Sequence, residues 1–210
     1  MTQQACKAAI TEIRKKYGCI TSKDKEEIKA AVELLLSKLS ADEHISYPLP
    51  VVHLLQQLGF DLFRTKFKNP NQSGLIAVDS SLPEKNSIFR GNRVVLVNGL
   101  DTTALQRFTI AHELAHYIFH FDETQEATYY KAYLTTEKED EAELLANSFA
   151  AELLMPSDIF VKSFRQYKES QGEEFSLSDA ITYLSHQFDA PATAVRRRLG
   201  ETGCIAQERD

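Results

Sequence analysis

Cysteine is scarce. Cys6, Cys19 and Cys204 are the whole complement, odd in number, scattered and never in a CxxC pair. That argues against a disulfide framework and against a thiolate metal site, and it fits a reducing compartment. Long apolar runs are also missing. No stretch approaches the roughly 20 residues that cross a bilayer, and the opening MTQQACKAAITEIRKK turns charged before an apolar run develops, so it does not read as a signal peptide. Internal repeats and low-complexity tracts are absent. Positive charge is not in excess either. A formal net charge of -6 argues against an extended nucleic-acid-binding surface and leaves room only for a local basic patch. The expectation is a cytoplasmic chain whose 210 residues can bury a substantial core in one domain or two.

What is present is a change of periodicity along the chain. Residues 3–17 and 22–40 carry helical spacing, the second with Ser22 or Asp24 as a cap before EEIKAAVELLLSKL. ADEHISYPLP is a polar, proline-bearing connector, and VVHLLQQLGF reads as a short helix stopped by Gly59. FDLFRT, GLIAVD, NSIFR and RVVLVN then form a block of short β-rich runs, split by the turn formers NPNQSG, SSLPEK and GN. Helical spacing returns near Thr102 and predicts helices over 102–121, 137–154, 157–170, 177–187 and 192–199. Strands gathered between helical blocks define an α+β chain, with a small twisted sheet expected to be antiparallel because its connections are short. The expected organisation is an N-terminal helical extension over 1–45, a core over 46–156 and a C-terminal helical region over 157–210.

One stretch breaks the ordinary pattern. In RFTIAHELAHYIFH, residues 107–120, three titratable groups sit among apolar neighbours: His112, Glu113 and His116. Two histidines four residues apart project from one helix face a turn from each other, so both imidazoles can reach one metal ion. Glu113 is rotated aside and can address a water rather than compete as a ligand; this is the HExxH arrangement. Phe108, Ala111, Leu114, Ala115, Ile118 and Phe119 surround the trio, so the helix is expected to be buried on much of its circumference. Buried imidazoles and carboxylates are costly unless paired or metal-bound.

A catalytic zinc site ordinarily takes three protein ligands and leaves a position open. A histidine six residues beyond His116 is lacking, since Asp122 stands there and Phe119 replaces the turn glycine. His120 lies one turn further along the same straight helix, too far to share the ion, and is expected to be structural or to support a ligand. In EDEAELLANSFAAELLMP, Glu143 shares a helix face with Ala146, Asn147 and Ala150, and the small alanines would let this helix approach the first closely. Glu143 then completes a His, His, Glu set, and Asn147 can hydrogen-bond the outer nitrogen of a ligand histidine. Glu139 is the rival, one turn earlier in an acidic run. Zinc suits two imidazoles and a carboxylate, with manganese or iron as possible occupants. Tyr117, Tyr129, Tyr130, Tyr133, His186 and His120 are all candidate oxyanion donors. RVVLVN, just before the motif helix, is a candidate strand for pairing with an extended substrate. His44 and His53 lie far from the motif and read as surface or packing residues.

At these residues the chain resembles the ImmA/IrrE-type zinc metallopeptidases. The resemblance rests on RFTIAHELAHYIFH followed by EAELLANSFAAELLMP, with LPVVHLLQQLGFDLFRT, SGLIAV and RVVLVN before them, and covers roughly residues 48–200. It implies a zincin-like core with His112, His116 and Glu143 on the metal and Glu113 as catalytic base. It also implies endopeptidase cleavage of a helix-turn-helix repressor. Ala115 stands where many members carry glycine.

Two other classes compete with this reading. One is a non-catalytic regulatory protein that keeps the metal and grips a partner. The other is a DNA-binding module built from SLSDAITYLSHQFDAPATAVRRRLG, whose helix, DAP turn and second helix resemble a helix-turn-helix carrying Arg196, Arg197 and Arg198. The acidic chain argues against direct DNA contact, and Leu184, Phe188, Val195 and Leu199 offer the simpler role of closing a core.

Overall fold

The computed structural model describes residues 3–39, 45–85, 87–121, 127–130 and 140–206. The N-terminal helices α1 (Gln3–Tyr17) and α2 (Lys25–Leu39) each turn an apolar stripe inward. In α2 the buried set is Ile28, Ala31, Val32, Leu35 and Leu36, the spacing of one helix face. The second helix starts later than residue 22 because the Asp24 carboxylate accepts from the Thr21 amide and hydroxyl, at 2.7 and 2.8 Å, and folds 21–24 into a turn. Helix α3 (Val51–Gln57) is stopped, as expected, by Gly59 in the left-handed region at φ 82°.

The sheet comprises β1 (Asp61–Thr65), β2 (Gly74–Asp79), β3 (Arg93–Asn98) and β4 (Ala127–Tyr130), in the order β1-β3-β2-β4. Here the sequence expectation needs three corrections. The sheet is mixed, because β3 returns between β1 and β2 and so runs parallel to β1 while remaining antiparallel to β2. A short connection does not oblige consecutive strands to be neighbours. Residues 87–90 of NSIFR are not a strand: Ile88 is 54% exposed, and the Arg90 amide donates to the Asp61 carboxylate instead of joining a ladder. Finally, both edges of β3 are taken, so RVVLVN has no edge to offer a substrate. SSLPEK contains a single helical turn, α4 (Leu82–Lys85).

Alternation along β3 separates two apolar layers. Val95 and Val97 face the main core, whereas Val94 faces a smaller cluster with Ala77 and Leu82 on the other side of the sheet. The main core is continuous from Ile10 to Leu199 and includes Ile110, Ala111, Leu114 and Ala115 of α5 (Thr103–Phe119). Four more helices follow: α6 (Glu141–Leu154), α7 (Ser157–Gln171), α8 (Leu177–Phe188) and α9 (Ala192–Glu201). Residues 137–139, expected to begin α6, lie outside the described residues, as does Glu139. Among the described residues no single helix is long and apolar enough to cross a membrane.

Polar groups tie α5 to its surroundings at three levels. The Thr102 hydroxyl accepts from the Leu105 amide and caps its start. Arg107 donates to the backbone oxygens of Leu49 and Asp189, and its guanidinium lies 3.0 Å from the Asp189 carboxylate, fastening the α8–α9 turn to α5. At the far end Arg14 donates to the Tyr117 and Ile118 oxygens, at 2.5 and 2.9 Å. A cation on the last carbonyls of a helix is also favoured by the helix dipole.

The three arginines of α9 have separate fates. Arg198 falls on the inward face with Val195 and Leu199, where it pairs with buried Glu152 and donates to the Met155 oxygen and the Ser157 hydroxyl. Arg197 is exposed and pairs with Glu201 at 3.1 Å; Arg196 is exposed too. Breaking a buried ion pair from one side strands the other charge, which costs about 3–5 kcal/mol, whereas an exposed pair contributes about 0–1 kcal/mol. Arg198→Ala is therefore expected to lower unfolding free energy by about 3–5 kcal/mol and Arg197→Ala by at most about 1 kcal/mol. Urea unfolding of the two variants checks this, and equal losses would contradict the separation.

Candidate metal centre

The centre is made by two helices meeting face to face. On α5, His112 is 5% exposed, while Glu113 and His116 are fully buried. Opposite them Ala146 and Ala150 of α6 are fully buried, and the absence of larger side chains there lets α6 bring Glu143 up to the imidazoles. Glu143 is held in the first turn of α6 by the Asp140 cap, whose side chain accepts from the Glu143 amide at 3.0 Å. Its neighbour Glu141 accepts from the Ser22 amide, joining the start of α6 to the loop between α1 and α2.

Three donor groups converge. The Nε2 atoms of His112 and His116 are 3.0 Å apart. Glu143 places one oxygen 3.2 Å from His112 Nε2 and the other 3.3 Å from His116 Nε2. A tetrahedral ion about 2.0–2.1 Å from each ligand would hold them roughly 3.3 Å apart, so the spacing fits one small divalent metal. The group His112, His116 and Glu143 could hold that ion.

Protonation states also suit it. Burial pushes the His116 pKa down, against the pull of Glu143. Burial alone would raise Glu143, but the two imidazoles that face it hold its carboxyl well below the usual carboxylate range. Neutral imidazole and ionised carboxylate are the forms a metal requires of its ligands.

The residues around the donors are also placed. Asn147, one turn beyond Glu143, puts its side-chain oxygen 2.9 Å from His112 Nδ1, which assigns the proton to that nitrogen and leaves Nε2 free to ligate. His120 caps the end of α5 with its Nδ1 3.1 Å from that of His116, and burial lowers its pKa to about 4. Tyr117 is buried on another side of α5, stacked edge-on to Phe60 with Arg14 and Arg93 over its ring, so that ring belongs to the packing of the helix. His186 is an exposed residue of α8, and His53 is exposed and bonded to Gln57. The side chains of Tyr129 and Tyr130, together with Tyr133 and His44, lie outside the described residues. Sequence reasoning passed over Gly74, where β2 meets the motif helix beside Glu113. A glycine opening a strand was the available signal.

A buried HExxH helix facing a carboxylate on a second helix is the arrangement of a metallopeptidase, and family comparison agrees. Residues 55–200 match the family described as the IrrE N-terminal-like domain, a peptidase family, and the chain belongs to it. Among curated proteins it is 29% identical over 108 residues to the radiation response metalloprotease IrrE of Deinococcus radiodurans. That match covers 48% of this chain and 33% of the relative, so the chain spans about a third of the relative's length.

Ligand-supporting hydrogen bonds ordinarily contribute 10–100-fold to metal affinity. Asn147→Ala is accordingly expected to weaken zinc or cobalt binding by about 10–100-fold, and His116→Ala by more. Chelator competition measures both, and an Asn147→Ala affinity equal to the parent would show that His112 needs no partner.

Proposed function

We propose that the chain is a zinc-dependent endopeptidase, with His112, His116 and Glu143 as metal ligands and Glu113 as general base. The observation that carries this is the convergence of His112 Nε2, His116 Nε2 and the Glu143 carboxylate at 3.0–3.3 Å, with the fully buried Glu113 next to His112 in the same helix. Bound there, zinc supplies Lewis acidity and lowers the pKa of a water molecule to about 7. Glu113 takes the proton of the attacking water and delivers it to the leaving amine as the peptide bond breaks. Asn147 holds His112 in its ligating tautomer, and the apolar wall of Ala111, Leu114 and Ala115 keeps bulk water from the back of the site.

The family and its metalloprotease relative support a protein substrate. Our narrower reading is a helix-turn-helix transcriptional repressor; it rests on the resemblance of the motif helices to the ImmA/IrrE-type peptidases. Manganese or iron can substitute at a site of two imidazoles and a carboxylate. Arg198 is turned inward on Glu152, which removes one of the three cations a DNA-binding α9 would use.

Loss of a general base typically costs 10²–10⁴-fold. Incubating the zinc-loaded chain with a repressor encoded beside its gene should give discrete fragments by intact mass, and Glu113→Gln should slow their appearance by about 10²–10⁴-fold while metal stays bound. An uncut repressor with metal bound would reject that substrate, and cleavage undiminished by Glu113→Gln would reject the base.

A further inference from the structure

We infer that Gly74 is a positioning residue for Glu113: having no side chain, it lets β2 run against α5 and leaves the carboxylate the space it occupies. The inference rests on the proposed role of Glu113 for its functional consequence. Gly74 does not lie in the left-handed region, so backbone freedom is not what calls for glycine here. Space is. A Cβ at this position would stand 2.4 Å from Thr109 Cγ2, 2.7 Å from Glu113 Oε1 and 3.4 Å from Glu113 Cγ. Carbon atoms in contact are ordinarily about 3.5–4.0 Å apart, so the first two approaches demand movement. By comparison a Cβ at Gly91 meets nothing within 4 Å, and at Gly99 its nearest neighbour is 3.7 Å away.

Little else can give way. Gly74 is paired with Val97 of β3; the Asn98 amide donates to the Ser73 oxygen at 2.8 Å, and the buried Gln72 side chain donates to the Gly74 oxygen at 3.0 Å. The strand is therefore pinned on both sides of residue 74. Thr109 is 3% exposed and β-branched within a helix, where rotation about χ1 is restricted. Thr109 and Glu113 are one turn apart on the same face of α5. Of the opposing atoms, the end of the Glu113 side chain is the part able to turn aside. An alanine at residue 74 would press on Thr109 and on the proposed base, and its three nearest atoms include none from His112, His116 or Glu143.

Truncating Thr109 separates this role from simple packing. In Thr109→Ala the helix clash is gone, and adding Gly74→Ala restores only the conflict with Glu113. Three quantities are compared between the single Thr109→Ala and the double variant: cobalt affinity by chelator competition, acetohydroxamate affinity from the visible spectrum of the cobalt-loaded chain, and kcat with KM on the cleaved substrate. Hydroxamate binding depends on the carboxylate beside the metal, and Glu113→Gln calibrates that dependence. The double variant is expected to keep cobalt affinity within about threefold and to lose hydroxamate affinity. It should also lose kcat, by about 10²-fold, the order of cost of an ångström-scale misplacement, with KM little changed. Unchanged hydroxamate affinity and kcat would overturn the inference. So would a parallel fall in cobalt affinity, or failure to fold with Thr109 already truncated, because each makes Gly74 a packing residue only. A parent chain that binds cobalt and hydroxamate but cleaves nothing would sink the peptidase reading, and hydroxamate affinity would then decide the Gly74 question by itself. A parent that binds no cobalt would overturn both.

Discussion

Two imidazoles are buried where α5 meets α6 beside a half-buried carboxylate, a third titratable group of α5 is buried against β2, and the rest of the structure is arranged around the cost of doing so. Burial of such groups without partners is prohibitive. Part of the cost is offset within the site, where Glu143 bridges both imidazoles and Asn147 takes the outer nitrogen of His112. That arrangement works only if the two helices are close and in one register. The fully buried Ala146 and Ala150 give the closeness; the Asp140 cap helps set the register by fixing where α6 begins. A one-residue slip of α6 would rotate Glu143 by about 100° and remove it from both histidines.

Rigidity of α5 comes largely from outside the motif. Its start is capped by Thr102, its middle is clasped by Arg107 to Leu49 and Asp189, and its last carbonyls are taken by Arg14. These partners come from four different parts of the chain. Asp189 itself sits at φ 47°, a conformation aspartate tolerates better than most residues, and so the DAP turn presents both its carbonyl and its carboxylate to Arg107. The helix pair that resembles a DNA-binding unit is thus anchored to the motif helix through its turn, and through Arg198 to the end of α6.

What could be read from the sequence was the part governed by local periodicity. His112, Glu113 and His116 lie within one helix, so their common face follows from 3.6 residues per turn. Glu143 required an assumption that two helices meet, and the alanines at 146 and 150 supplied the reason. The inward positions of Val195 and Leu199 were readable too, but the inward turn of Arg198 between them was not separated from Arg196 and Arg197. Strand order was not. The insertion of β3 between β1 and β2 depends on non-local pairing, which connection length alone does not determine. Nor was β4, whose four residues lie between 121 and 140 where no helical or alternating pattern stands out. Gly74 shows the boundary most clearly: a glycine at a strand start signals that something comes close, but only the packing of β2 on α5 says that it is Thr109 and Glu113.

The family match begins at residue 55, yet Arg14, Ser22 and Lys29 reach into the region it covers. Arg14 holds the end of the helix bearing both histidines, the Ser22 amide meets Glu141 two residues before Glu143, and Lys29 pairs with Asp158 at the head of α7. The first two contacts fall one on α5 and one on α6. A helical pair that grips α5 at its end and α6 at its start constrains their relative position across the line on which the donor atoms meet. Alongside the apolar packing of the two helices, which includes the edge-on pair Phe119 and Phe149 at 5.4 Å, the hydrogen bonds from α1 and its loop add fixed donor–acceptor geometry. The converging side chains and the contacts that position them are therefore divided between segments: α5 and α6 carry His112, His116 and Glu143, and residues outside the family match help hold the two helices together.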